Sequence, residues 1–310
     1  MTGAGRKATI AEMKAAPAPY KNLQRFFIRL KSCQAMTLCE ALQKHLRLGH
    51  EEARQLIRQG SVWDSERKVR LKDENMTITN QLLRVDQPKF PIREYELRPE
   101  DIHYQDSDLL LVYKRGGVPV QPTPYSDIDC LLHGVQQYYD RQGMAYRAAA
   151  INRLDLPAQG LIFFAKNKKS EIALHRMFQE RKVKKRYLAV TPAFAGVKPG
   201  YIIRSALEWQ GRVKQALTYV RFCRENSGLF YFLVFPQTGR THQIRRHFKE
   251  QLVPLIGDHL YGNYPGRAEL GLICFYYSFA HPFSGKKTTI SFLPASWRVA
   301  LGINLNGREE

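Results

Sequence analysis

Asn152-Arg153-Leu154-Asp155, followed by Leu156-Pro157-Ala158-Gln159-Gly160 and the apolar run Leu161-Ile162-Phe163-Phe164-Ala165, places one carboxylate in a turn that leads straight into a strand. An Asp is favoured in turns because its side chain hydrogen-bonds nearby backbone, so on its own Asp155 reads as structural. The run after it has strand length and is uniformly apolar, the pattern of a buried strand. Further strands of this kind, such as Leu109 to Tyr113, alternate with turns, and helical stretches intervene near Asp129 to Tyr139 and Lys169 to Arg181. That mixture predicts an α+β domain on a mixed, mostly antiparallel central sheet, not a chain of repeated βαβ units. Neither common glycine-rich phosphate loop is present.

The chain has 310 residues, enough for one large domain with a smaller one. Lys and Arg number 48 against 28 Asp and Glu, a net charge of +20. Such an excess suits a polyanion, because cationic side chains displace the counterions condensed on phosphates. An anionic membrane could use the same charge, but no apolar run approaches the roughly 20 residues that span a bilayer. RNA or DNA is therefore the expected partner. Cys33, Cys39, Cys130, Cys223 and Cys274 are scattered, with no CxxC pair and no His at ligand spacing. They read as reduced thiols, with no metal site. The N-terminus has basic residues without an apolar segment, so a cytoplasmic protein is expected. Residues 1–20, rich in Ala, Pro and Lys, are expected to be a disordered tail, and 301–310 a second tail.

Residues 21–86 read as a small basic α+β module. Leu38, Leu42 and Leu46 recur as one helix face does, and Glu51 to Gln59 gives a second helix with Ala53, Leu56 and Ile57 inward. Gly60 is placed to cap it. Ser61-Val62-Trp63 and Met76 to Val85 look like strands. This order, centred on Ala53 to Val62, is similar to an S4 RNA-binding domain, departing from it at Trp63-Asp64-Ser65, where a Val-Asn-Gly type turn is usual. Arg54 and Arg58 share one face at i and i+4, and the resemblance together with the charge makes them candidate phosphate contacts. Residues 87–102, with three prolines, read as a linker, leaving 103–300 as the larger domain.

Two distant segments change the reading of Asp155. Arg181 to Val190 contains Lys184-Lys185-Arg186-Tyr187, and Thr238-Gly239-Arg240-Thr241-His242-Gln243-Ile244-Arg245 follows an aromatic strand, Phe230 to Phe235. With the Asp155 stretch, and with Pro254 to Asp258 and Ala280-His281-Pro282-Phe283 behind them, they resemble the signature of the RluA-type RNA pseudouridine synthases over roughly 105–295. The family's usual forms have His where Asn152 stands, Thr-Ser where Ala158-Gln159 stands, and Lys-Pro where Lys114-Arg115 stands. Those differences touch the frame of the loop and leave the acid in place.

The resemblance implies a pseudouridine synthase fold and isomerisation of a uridine in structured RNA, ribosomal or transfer, by a monomer without metal or small-molecule cofactor. By it, Asp155 is the catalytic carboxylate, acting on the sugar or on the base. Tyr187 stacks on the extruded uracil and helps move a proton. Arg245 pairs with Asp155, and a neighbouring guanidinium favours a charged carboxylate. Arg153, Lys184, Lys185, Arg240 and His242 are candidate RNA contacts, while Asp258 and His281 are read as structural. A different class, a non-catalytic RNA-binding or ribosome-assembly protein that kept the fold, suits the charge and the small module equally well. Asp155, Tyr187 and Arg245 together separate the two, since phosphate binding needs no carboxylate in a basic cleft.

Overall fold

The structure, a computed structural model, describes residues 10–12, 23–30, 35–262 and 269–302. Most of the expected tail at 1–20, Cys33 and residues 303–310 lie outside the described residues. The chain divides into two compact units, Met1–Glu96 with Gln121–Gln137, and Leu97–Val120 with Tyr138–Glu310.

The first unit holds β1 (Ile10–Glu12), β2 (Leu23–Arg29), β3 (Met36–Thr37), α1 (Leu38–Leu46), α2 (His50–Arg58), β4 (Val62–Asp64), β5 (Val69–Arg70), β6 (Thr77–Ile78) and β7 (Leu82–Pro88). Five strands form an antiparallel sheet in the order β1-β2-β7-β4-β5, and β3 pairs with β6. α1 starts at Thr37 because Thr37 Oγ1 accepts from the Glu40 amide at 3.1 Å while the Glu40 carboxylate accepts from the Thr37 amide at 2.8 Å. This reciprocal pair satisfies two donors that a helix start leaves without partners. Leu38 and Leu42 of α1 and Ala53, Leu56 and Ile57 of α2 are buried in one cluster with Ile28, Val62, Leu83 and Val85. Gly60 closes α2 with φ +86°, a left-handed turn in which a Cβ would lie 2.7 Å from the Arg70 side chain. The single strand expected over Met76 to Val85 is two strands, broken where Asn80 adopts φ 44°. At the departure from the S4-like pattern, the Asp64 carboxylate accepts the amides of Glu66 and Arg67 at 3.0 and 2.9 Å. Asp64 thus builds its own turn, as Asx residues do.

The second unit carries β8 (Ile102–Gln105), β9 (Leu109–Lys114), β10 (Ala149–Ala150), β11 (Gln159–Ala165), α4 (Lys168–Gln179), β12 (Lys184–Pro192), β13 (Gly200–Trp209), β14 (Arg212–Asn226), β15 (Leu229–Pro236), α5 (Gln243–Gln251), β16 (Leu272–Ala280), β17 (Lys287–Ser291) and α6 (Ala295–Ala300). The helix α3 (Leu131–Arg141) precedes β10 in the chain. The central sheet runs β13-β14-β15-β12-β16-β11-β9-β8, with β10 also on β11 and β17 also on β16. Among the described residues only β11 and β16 pair in parallel, so the sheet is mixed and mostly antiparallel, as the sequence predicts.

Every residue of β9 and β11 is buried, which accounts for the apolar runs Leu109 to Tyr113 and Leu161 to Ala165. Gly160, the second residue of β11, has φ +132° and lies opposite Cys274 in the parallel pairing, where a Cβ would overlap the Cys274 backbone. Glycine therefore lets β11 and β16 close together directly behind the Asp155 turn. The hairpin β13–β14 has no counterpart in the elements expected from sequence. Its signal is Trp209-Gln210-Gly211-Arg212, whose two central residues both take left-handed φ, 51° and 74°, as a tight two-residue hairpin turn requires.

Candidate active site

The turn that carries Asp155 is built from inside. The Ala158 amide donates to the Asp155 carbonyl at 3.1 Å, and Lys114, fully buried, reaches in from β9. Its Nζ donates to the carbonyls of Arg115, Val118 and Leu156 at 3.0, 2.9 and 3.0 Å. Burial brings the Lys114 ammonium down to about 7, with Asp155 acting in the opposite sense. Asn152, which replaces the usual His, brackets the same turn. Its Oδ1 accepts the Phe163 amide at 2.9 Å and its Nδ2 donates to the Tyr277 hydroxyl at 2.9 Å. Gln159 accepts from the Tyr113 hydroxyl at 2.6 Å and donates to Glu269 at 2.9 Å. Both departures from the family pattern thus complete hydrogen bonds of the frame.

The second segment forms the loop into α5. Gln243 holds that loop together: its Oε1 accepts from Thr238 Oγ1 at 2.6 Å and from the Arg240 amide at 3.0 Å. Its Nε2 donates to the Leu217 carbonyl and to Thr218 Oγ1, at 3.1 and 2.9 Å. Two residues on, Arg245 is buried between two carboxylates. Its Nε and Nη2 donate to Asp258 at 2.8 and 2.7 Å, and its Nη1 donates to Asp155 Oδ2 at 3.2 Å. The bidentate contact with Asp258 fixes the guanidinium plane, so the remaining nitrogen is aimed at Asp155.

The two acids differ in access. The Asp258 side chain is fully buried, while that of Asp155 is 25% exposed. Burial would raise Asp258, but the hydrogen bonds and charge of Arg245 outweigh it and hold the carboxyl below its ordinary range. Burial likewise works against the Arg245 charge, and the two carboxylates reverse that, leaving it raised. One acid is spent on holding Arg245, and the other faces open space.

That space is a cleft of about 120 Å³ lined by Arg153, Asp155, Lys185, Tyr187, Arg240, His242 and Arg245, among others. Tyr187 stands on β12 and is buried. Desolvation, the adjacent Cys274 thiol and the Asp155 charge push its phenol well above the ordinary tyrosine range, so it is a neutral phenol. His242, in a left-handed conformation at φ 53°, turns its Nε2 to 3.9 Å from Asp155 Oδ1 and its Nδ1 to 2.9 Å from the Tyr261 hydroxyl. Burial lowers its imidazole below the usual histidine value, against the pull of Asp155. Lys185 is also lowered by burial.

Seven of the ten candidate site residues therefore meet at one cleft. Lys184 is exposed on β12 and does not line it. Arg54 and Arg58 belong to the first unit and are already paired, Arg54 with Glu74 at 2.6 Å and Arg58 with Glu51 at 3.5 Å. The contributions of Gln243 and Tyr261 were not legible in sequence, because each acts by fixing a neighbour. Asp106, Asp108 and His281 form a group of metal-capable residues among the described ones. However, His281 Nδ1 accepts the Phe283 and Ser284 amides at 3.4 and 3.2 Å. That places the proton on Nε2, which lies 3.1 Å from an Asp106 oxygen without hydrogen-bond alignment. A protonated nitrogen offers no lone pair to a metal, so the group braces the fold.

His247, two residues past Arg245, has no exposed surface and no hydrogen-bond partner for either ring nitrogen. Burial, then the charge of Arg246, lowers it to about 4. The unfolded chain takes up a proton near the ordinary histidine value while the folded one resists until about 4. Stability is therefore fully present above that ordinary value and falls as pH drops towards 4. Replacing His247 with Leu is expected to flatten the loss of unfolding free energy between about pH 6.5 and 4.5, measured by urea denaturation at several pH values. An unchanged slope would count against it.

Comparison with known proteins bears on this geometry. Residues 108–250 match a family model described as RNA pseudouridylate synthase. A Neisseria meningitidis protein named ribosomal large subunit pseudouridine synthase D is 29% identical over 75% of this chain and 70% of its own length. A Haemophilus influenzae protein described as an uncharacterized RNA pseudouridine synthase is 31% identical over 52% of this chain and 73% of its own. Of some other curated relatives the chain spans less, 57% and 58% of their length. The solved structure of human RNA pseudouridylate synthase domain containing 1 superposes with a TM-score of 0.53 at 22% identity, over 66% of this chain and 86% of that one.

Proposed function

The chain belongs to the RNA pseudouridine synthase family, and from that premise we propose that it isomerises a specific uridine of ribosomal RNA to pseudouridine, with Asp155 as the acting carboxylate. The carrying observation is the convergence of Asp155, Tyr187 and Arg245, from three separate stretches of sequence, on one cleft. A carboxylate held by a buried guanidinium is more than an RNA-binding surface requires, which favours catalysis over a purely binding role.

In the proposed reaction the uridine is extruded from its stack, since its sugar bond is out of reach inside a helix. Asp155 drives cleavage of the bond from N1 to C1′ of the ribose. The uracil turns, C5 bonds to C1′, C5 loses its proton, and N1 ends protonated, so every atom of the base is kept apart from the exchanged proton. Tyr187, as a neutral phenol, lies against the base without adding a second negative charge beside Asp155, and relays the C5 proton to water, its oxygen accepting that proton as its own hydrogen passes on to solvent. Arg245 orients Asp155. Arg153, Lys185, Arg240 and His242 line the approach and meet RNA, with Lys184 outside the cleft as a phosphate contact. The S4-like module is proposed to add RNA affinity, through Arg54 and Arg58 if their ion pairs open.

Ribosomal RNA is favoured by the names of the Neisseria relative and of a Rickettsia bellii protein called ribosomal large subunit pseudouridine synthase C; transfer RNA is the second choice. No helix among the described residues is long and apolar enough to cross a membrane. The protein is proposed to act in the cytoplasm as a monomer that needs no cofactor. Mapping pseudouridines across total RNA from cells with and without the protein tests it. Loss of one or a few ribosomal sites is expected, and an unchanged map would overturn the proposal.

A further inference from the structure

Beside the cleft stands an aromatic side chain that the proposed chemistry does not use. β13 and β14 pair in register from Gly200–Arg221 to Trp209–Arg212. Strand alternation therefore puts Ile203, Leu207 and Trp209 on one face of the hairpin, opposite Thr218, Lys214 and Arg212. The near part of that face is core: Ile203 and Leu207 are buried, and Gln243 of α5 bonds Thr218 there at 2.9 Å. The far part is uncovered. Trp209 is 46% exposed, and Arg212 and Lys214 are exposed around it.

The hairpin tip is nonetheless held in place. Arg246 Nη1, on α5, donates to the Glu208 carbonyl at 2.7 Å, and the Trp209 ring meets the His242 ring edge-on, with centroids 5.5 Å apart. His242 lines the cleft that holds Asp155. A large aromatic surface is thus kept half in water, fixed at the rim of the site, with two cations on the same hairpin face. Burial would normally take such a ring out of solvent. Every nucleobase has a π face that can stack on an indole, and cations alongside would meet the adjoining phosphates.

We propose that the tip of the β13–β14 hairpin is a stacking platform for an unpaired nucleotide adjacent to the target uridine, with Trp209 taking the base and Arg212 and Lys214 its phosphates. The inference rests on the RNA-modifying reading above. Trp209 touches no reacting atom in this account, so it is a positioning residue.

The test is steady-state pseudouridine formation on total RNA from cells lacking the protein. Trp209→Ala is expected to raise KM about tenfold, within what loss of one base–aromatic stack costs, while leaving kcat within about twofold. Trp209→Phe, which keeps a ring, should restore most of the loss. An active wild type with an unchanged KM in Trp209→Ala overturns this inference alone, and so does a lowered kcat at unchanged KM, which would make Trp209 a support for His242. An inactive wild type overturns the proposed function and this inference with it. Intrinsic fluorescence checks the point without relying on the Ala variant. The chain has three tryptophans, and adding the same RNA should quench wild-type emission more than that of Trp209→Phe. Equal quenching in both would overturn the proposal.

Discussion

Asp155→Asn is expected to abolish pseudouridine formation, with a loss of at least about 10³-fold in kcat, while RNA affinity stays near that of the wild type. The substitution preserves the shape and one acceptor oxygen for the Arg245 Nη1, which lies 3.2 Å from Asp155 Oδ2. What it removes is the negative charge that faces the cleft. Fold and frame should survive, because Lys114, Asn152 and Gln159 hold the turn through contacts that do not involve the Asp155 carboxylate. Single-turnover kinetics and a filter-binding titration with the same RNA separate the two effects. Activity retained by Asp155→Asn would remove the acid from its proposed role.

Asp258→Ala is expected to cost stability as well as activity. It strips a fully buried carboxylate from a buried guanidinium; breaking a buried pair costs about 3–5 kcal/mol, and the contact with Asp155 that remains puts the expected loss at the lower end. The Asp258 carboxylate also caps the following turn by accepting the amides of Leu260 and Tyr261, each at 3.1 Å. Asp258→Asn keeps the acceptor oxygen and should fall between wild type and Asp258→Ala. Urea denaturation followed by circular dichroism measures the first effect. Without its bidentate partner Arg245 is free to turn wholly towards Asp155, so kcat should drop even at temperatures where the variant is folded. A variant as stable as the wild type would show that the pair is not what fixes Arg245.

Much of this was legible in the sequence, for physical reasons that differ by residue. β11 could be read because burial on both faces demands an unbroken apolar run, and Gly160 as the end of the turn before it, but not its close approach to the Cys274 backbone. α1 and α2 carry their spacing and their caps in a few adjacent residues. Asp155 is different: as a single Asp in a turn it looks structural, and only the joint presence of Tyr187 and Arg245 gives it weight. Residues that act by holding others were not readable in the same way. Gln243, Tyr261 and Lys114 each have a partner between 19 and 42 residues away in sequence, distances at which composition and periodicity carry no information. The β13–β14 hairpin escaped because its charged, half-exposed strands lack a clean apolar alternation. Its turn residues were the one local clue. Arg54 and Arg58 show the opposite case, since a shared helix face is visible in sequence but the pairing of Arg54 with Glu74, 20 residues on, is not.

The central claim is that this cleft moves the ribose from N1 to C5 of a uracil, which necessarily expels the hydrogen on C5. Ribosomal RNA labelled with tritium at C5 of uridine, taken from cells lacking the protein, reads that event directly. Wild-type protein is predicted to release tritium to water in step with the pseudouridine formed, and Asp155→Asn to release none. Absence of release by the wild type, or equal release by Asp155→Asn, would contradict the account.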